Sequence, residues 1–309
     1  MQTRSLLTVI VAALALPAAA PAQSAAPRPA ITGISHIAVY TSNPAATDRY
    51  YTTVVGAVKL PDPENPKGVR YALSATQFIE VLPLPADAGI VRLDHVAWLT
   101  ADAGAMRAYL AAKGWKTPAR VRHGRDGSLW FQVLDPEGNK VQFLQPPPHP
   151  APVDAPGAIG HHIIHVGYMV HSRASEDAFY RDLLGFRPYW WGGRNGQVNW
   201  VSQQCPDGHD WMEYMMTRGS SGLPADMTQH ELGVMDHFSI GVVSVPAVFN
   251  TLVAAHRLGE QHDAAPRIGL DGKYQLNLYD PDGIRTEVMD FHATQKPCCS
   301  PFTASDPVQ

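Results

Sequence analysis

The chain has 309 residues, of which 45% are hydrophobic and 17% charged, and its formal net charge is −4. That length allows two compact domains, and the composition suits a globular protein rather than a disordered one. Neither the net charge nor any run of lysine and arginine supports binding to nucleic acid or to an anionic membrane surface.

The chain opens like a secretory signal peptide. Arg4 supplies a positive start, residues 6–16 an apolar stretch, and Ala20-Pro21-Ala22 a small-x-small cleavage site. The stretch is too short to span a bilayer permanently, and Pro17 and Pro21 break a helix there. Cleavage after Ala22 would remove Arg4 and take the net charge from −4 to −5. The expected address is periplasmic or secreted, with no membrane association after cleavage; an uncleaved anchor is the alternative. Cys205, Cys298 and Cys299 would there allow one disulfide and one free thiol. A bridge from Cys205 to a tail cysteine would clip the C-terminus onto the body. Otherwise the vicinal pair lies on a tail without a role.

After the leader, Gly33-Ile34-Ser35-His36-Ile37-Ala38-Val39-Tyr40 alternates like a strand. Asn43-Pro44 reads as a helix cap with proline at the first helical position, and the helix runs to about Val55 before Gly56 closes it. Strands are predicted near residues 69–74 and 77–84. A second segment starts at Leu93-Asp94-His95-Val96-Ala97-Trp98. Asp102 caps its helix, which ends before Gly114. Residues 129–134 and 140–144 are strands joined by the tight turn Asp135-Pro136-Glu137-Gly138.

Residues 147–160 are rich in proline and aperiodic, which predicts a linker between an N-terminal pair of segments (31–146) and a C-terminal pair (161–292). The third segment begins with a strand over residues 162–168. A helix over 175–184 follows, then strands near 186–191, 197–202 and 210–216, and an inserted loop over 217–233. The fourth begins at Met235-Asp236-His237-Phe238-Ser239-Ile240. Its helix spans roughly 246–257, and strands over 273–279 and 285–291 flank the turn Asp280-Pro281-Asp282-Gly283. Residues 293–309 form a tail.

Each segment thus reads strand, helix, strand, strand, strand. In each, a histidine in the first strand is followed by an acid or amide in the last. The pairs are His36/Glu80, His95/Gln142, His165/Glu213 and His237/Glu287, with spacings of 44, 47, 48 and 50 residues. Two of the turns align residue for residue, and Gln142 and Glu287 each stand seven positions after the turn aspartate. Histidine and carboxylate are the usual ligands of a catalytic divalent metal. Alternation puts His237 and Ser239 on one face of their strand, and Phe238 and Ile240 on the other. The apolar set packs on the helices, which leaves the histidine and glutamate in a concave space.

This repeat resembles the βαβββ module of the vicinal oxygen chelate superfamily, which includes glyoxalases, fosfomycin-resistance enzymes and extradiol ring-cleaving dioxygenases. The resemblance covers nearly all of residues 31–292. It implies an α+β fold in which four modules pair into two cup-shaped mixed sheets with helices on the outside. It also implies a metal at the first-strand histidine and fourth-strand acid of each module.

The C-terminal cup offers His165, His237, Glu287 and Glu213. The N-terminal cup offers His36, Glu80, His95 and Gln142, where an amide replaces one acid, as a second site or as a vestige that keeps polar residues for stability. The ion would be Fe(II), with Mn(II), Ni(II) or Zn(II) as alternatives. Asn277 and Tyr279 are expected to face the C-terminal cup as catalytic candidates. Glu213 is expected there either as a fourth ligand or as a base. Ring-cleaving dioxygenases of the superfamily place a tyrosine where Asn277 stands and a catalytic histidine upstream of it. This chain departs from that pattern at both points. His161, His162 and His171 are further acid–base candidates, and each is equally an ordinary surface histidine. Trp190, Trp191, Trp200 and Trp211 would line an aromatic pocket or pack the core.

The best fit is an extradiol-type dioxygenase acting on a small substrate with adjacent oxygens. The alternatives are a glyoxalase-like isomerase or lyase that uses the metal as a Lewis acid, and a binding protein without turnover. Because each half supplies a module pair, a monomer suffices.

Overall fold

The computed structural model describes residues 27–216 and 224–308. The expected leader over residues 1–22 lies outside these residues. The first half runs β1 (Ile31–Thr41), α1 (Pro44–Arg49), β2 (Val58–Pro61), β3 (Val69–Ala72) and β4 (Phe78–Pro83). It continues with β5 (Leu93–Thr100), α2 (Ala103–Ala112), β6 (Arg122–His123), β7 (Leu129–Leu134) and β8 (Lys140–Gln145). The second half has β9 (His162–Val170), α3 (Arg173–Asp177), β10 (Arg187–Gly192), β11 (Trp200–Gln204), β12 (Trp211–Met216) and α4 (Gln229–Met235). It ends with β13 (His237–Val242), α5 (Val245–Ala254), β14 (Arg267–Ile268), β15 (Tyr274–Tyr279) and β16 (Arg285–Asp290). Among the described residues no helix is long and apolar enough to cross a membrane.

Two eight-stranded mixed sheets result, ordered β2-β3-β4-β1-β5-β8-β7-β6 and β10-β11-β12-β9-β13-β16-β15-β14. This is the α+β arrangement of four paired βαβββ modules. In each sheet the first strands of two modules meet antiparallel at the centre, β1 on β5 and β9 on β13. Each is flanked by the last strand of its own module, which runs parallel to it. The residue pairs picked out by spacing therefore lie on the four adjacent central strands of each sheet.

The helices start where the sequence caps them. The side chains of Asn43, Asp102, Ser172 and Ser244 accept from the backbone N–H three residues on, which satisfies an otherwise orphaned donor. α1 and α3 each continue into a π-helical turn, over Tyr50–Val54 and Ala178–Leu183. These turns bury Tyr51 and Tyr180.

The two halves share one hydrophobic core, across which Trp98 meets Phe186 edge-to-face at 5.0 Å. They also cap each other. Asp282, in the last turn of the second half, accepts from Ser42 N at 3.0 Å ahead of α1. Glu137, in the matching turn of the first half, accepts from His171 N and Ser172 N at 2.8 and 2.7 Å ahead of α3. Tyr51 Oη donates to Asp280 and Tyr180 Oη to Asp135, at 3.2 and 3.4 Å.

Two expectations change. The predicted insertion over 217–233 ends in a helix, because α4 begins within it on a capping box between Thr228 and Glu231. Residues 217–223 lie outside the described residues. Cys205 does not clip the tail: Cys298 bonds to Cys299, and Cys205 is a free, buried thiol. The tail is nonetheless held, by Cys298 N to Leu270 O (2.7 Å), Thr303 N to Tyr189 O (3.0 Å) and Gln204 Nε2 to Ser305 O (2.8 Å).

Candidate metal centres

In the C-terminal sheet, β9, β13 and β16 bring His165, His237 and Glu287 together. The two Nε2 atoms are 3.0 Å apart, and Glu287 Oε2 lies 3.2 Å from His165 Nε2 and 3.8 Å from His237 Nε2. All three residues are buried. A glycine makes room for this: an added Cβ at Gly167, opposite His237 in the β9–β13 register, would stand 2.1 Å from His237 Cε1. Met235 O takes the Nδ1 proton of His237 at 2.7 Å, so Nε2 presents its lone pair. Trp211 packs on the His165 ring at 4.7 Å.

Glu213 reaches His237 Nε2 at 3.7 Å through Oε2 but does not join the mutually close set of His165, His237 and Glu287. Burial and the Glu287 carboxylate push its carboxyl up to about 8. Glu287 goes the other way. Burial alone would raise it, but Arg285 and the two histidines outweigh that and hold it at about 2. Burial, then Arg285 and His165, press His237 well below the ordinary histidine value, which favours the neutral imidazole a metal needs. Asn277 pairs in register with Glu287, and its buried Oδ1 has no hydrogen-bond partner. Tyr279 pairs with Arg285 and is half-buried. Further orphaned buried atoms gather here: His165 Nδ1, Ser239 Oγ and Arg285 Nε. Such clusters mark places where an ion, water or substrate completes the bonding.

The N-terminal sheet repeats the arrangement with the acid from the other module. His36 Nε2 and His95 Nε2 are 3.1 Å apart, and Glu80 Oε2 lies 3.9 and 3.8 Å from them. Gln142 is buried, but its oxygen already accepts from Gln132 Nε2 at 3.0 Å, which uses one of its two lone pairs. Burial and Asp62 push Glu80 up to about 9. Burial and His95 press His36 well down.

His161, His162 and His171 are committed elsewhere. His161 bonds Leu73 O at 3.0 Å, His162 bonds Asp210 and Val308 O at 2.7 and 2.6 Å, and His171 bonds Glu137 at 2.8 Å. Of the tryptophans, Trp190 and Trp211 are buried in a small cluster with Tyr189 and Phe291, Trp191 is 40% exposed, and Trp200 lines a cavity.

Sequence reasoning passed over Asp94, Gly167 and Arg285. The dipeptide Asp-His occurs at both 94–95 and 236–237, yet it is used differently. Asp94 Oδ2 holds His95 Nδ1 at 2.7 Å, whereas Asp236 accepts from Met169 N at 2.9 Å. Nothing local in the sequence separates the two cases.

Residues 33–143 match the model of the Glyoxalase/Bleomycin resistance protein/Dioxygenase superfamily. None of the curated proteins matches the chain. Among solved structures, a catechol 2,3-dioxygenase aligns at 17% identity over 88% of this chain and 96% of its own, with a TM-score of 0.60. The 2,3-dioxygenase LapB from Pseudomonas sp. KL28 aligns at 16% identity over 89% and 97%, TM-score 0.63. Homoprotocatechuate 2,3-dioxygenase from Brevibacterium fuscum, in complex with 3,4-dihydroxyphenylacetate, aligns at 17% identity over 87% and 83%, TM-score 0.62. At these identities the likeness is one of fold.

Proposed function

We propose that the C-terminal cup of this chain, whose residues 33–143 match the glyoxalase/bleomycin resistance/dioxygenase superfamily, is an Fe(II) centre that oxidises a small diol in the extradiol manner. The observation that carries this reading is the convergence of His165 Nε2, His237 Nε2 and Glu287 Oε2 on one buried point. Two neutral imidazoles and one carboxylate form the facial set that leaves open positions for substrate and oxygen. When bound, the ion supplies Lewis acidity and redox capacity. The rest falls to the chain. His165, His237 and Glu287 hold the ion, and the buried walls exclude water. Glu213, whose carboxyl is pushed up to about 8, would take the proton of a substrate hydroxyl in its ionised form, so this step should quicken as pH rises toward 8. Asn277 and Tyr279 line the same face of β15. Glu213 thereby supplies the acid–base function that ring-cleaving relatives draw from residues absent here.

A glyoxalase-like site would recruit Glu213 as a fourth ligand. Glu213 stands outside the mutually close set, although its Oε2 is as near to His237 Nε2 as that of Glu287, at 3.7 and 3.8 Å. The N-terminal triad supports a second ion, because Asp94 fixes the His95 proton on Nδ1 and turns its Nε2 lone pair toward His36 and Glu80. We assign this ion no oxygen chemistry. The function is tested by oxygen uptake of Fe(II)-loaded protein against a catechol panel. Equimolar uptake with at least one diol, abolished in His237→Ala, is expected; no uptake with any diol overturns the reading.

A further inference from the structure

Resting on the diol reading above, we infer that Arg285 is a specificity residue that reads a carboxylate on the substrate entering the C-terminal cup. Arg285 opens β16 two residues before Glu287, so the two side chains share the concave face. It is 6% exposed. A buried guanidinium brings five donors and a charge it cannot shed.

The protein answers little of this. Nη2 meets Met215 Sδ at 3.7 Å, a weak acceptor. The one carboxylate within 4.0 Å among the described residues is Glu287, whose Oε1 lies 3.9 Å from Nη1. That is beyond hydrogen-bond length, and the other oxygen of Glu287 faces the histidines. Nε has no hydrogen-bond partner. Arg70, the arginine beside the N-terminal triad, is the contrast. It has Asp126 at 2.9 Å and Asp62 at 3.3 Å, and it lies over the Phe78 ring at 4.4 Å. Arg70 Nε likewise has no hydrogen-bond partner, but Arg70 has carboxylates at 2.9 and 3.3 Å, whereas the nearest to Arg285 is at 3.9 Å.

Charge leads to the same conclusion. A divalent ion held by His165, His237 and Glu287 would keep a net positive charge, and Arg285 would add another. An uncompensated charge in a buried site is costly, and an anionic substrate removes it. Trp190, Trp211 and Phe302 pack the tail end of the cup. Met215, which touches Arg285, also lines a cavity of about 340 Å³ whose walls mix Trp200 and Met235 with Arg194, Asn195 and Asn199. The ligand this implies has two adjacent oxygens for the metal and one acid group for Arg285.

Anaerobic calorimetry on Fe(II)-loaded protein tests this with 3,4-dihydroxybenzoate, 4-methylcatechol and benzoate. The acid diol should bind roughly tenfold or more tighter than the neutral one. That ratio should fall to near one in Arg285→Gln and persist in Arg285→Lys. Arg285→Met, which keeps the packing, serves if Arg285→Gln does not fold. A ratio near one in the wild type, or an unchanged ratio in Arg285→Gln, overturns the assignment. If neither diol binds but benzoate does so only with Arg285 present, the anion site stands and the diol reading falls. If none of the three binds, both fall.

Discussion

At the scale of single residues, one contrast between the two cups is a single methyl group. Gly167 faces His237 where Ala38 occupies the matching place opposite His95. Gly167→Ala would drive a carbon into the His237 ring, so His237 must turn away. We predict that this variant binds Fe(II) at the C-terminal cup at least tenfold more weakly, read by metal titration. Unchanged affinity would show that the ring has room. The ligand residues themselves were legible in the sequence, because a repeat carried the same chemical types at matching places. Their supports were not. Asp94 and Asp236 precede histidines identically, and only the packed chain decides that one holds its neighbour and the other a backbone N–H. Arg285 was invisible for a different reason: what matters is the partners it lacks, and a sequence lists no missing partners.

At the scale of elements, strand alternation and side-chain caps gave most of the boundaries. The exceptions have physical causes. α4 falls where the sequence reads as a loop, although Thr228 and Glu231 carry the capping-box spacing, because the helix is only seven residues long and shows no clear periodicity. The tail was invisible because its anchors are long-range. Asp306 sits 2.9 Å from Lys273 Nζ, and that ammonium lies inside a cage of Tyr189, Trp211 and Phe302 at 5.6, 5.1 and 4.9 Å. Trp211 in turn packs on His165. Asp306→Ala leaves the Lys273 ammonium buried without its carboxylate. It should cost about 3 kcal/mol in urea unfolding. A loss below about 0.5 kcal/mol would mean that the tail is ornamental to the fold.

At the scale of the whole molecule, each half completes the other through its Asp-Pro turn. Asp282→Ala removes three hydrogen bonds to Ser42 and should destabilise the protein by about 2 kcal/mol, measured by denaturant midpoint. A midpoint equal to wild type would deny the cross-cap. The junction also titrates. His162 is raised above its ordinary value: burial opposes its charge, but Asp210, which also accepts from Ile34 N in the other half, outweighs burial. A raised histidine adds stability that is fully present below its unfolded value of about 6.5 and is lost as pH rises through its folded value. His162→Gln should therefore cost more at about pH 5.5 than at about pH 9, by roughly 1 kcal/mol. An equal cost at both would remove the charged bond from the account. The pairing of four modules was readable from their order and spacing. The exchange of caps was not, because it joins residues 240 positions apart.

The measurement that bears most directly on the metal centre is a metal count on protein loaded anaerobically with Fe(II) and desalted, wild type beside Glu287→Ala. The variant should carry one ion fewer per chain while the His36, Glu80 and His95 cup is untouched. Equal counts in the two proteins would contradict this.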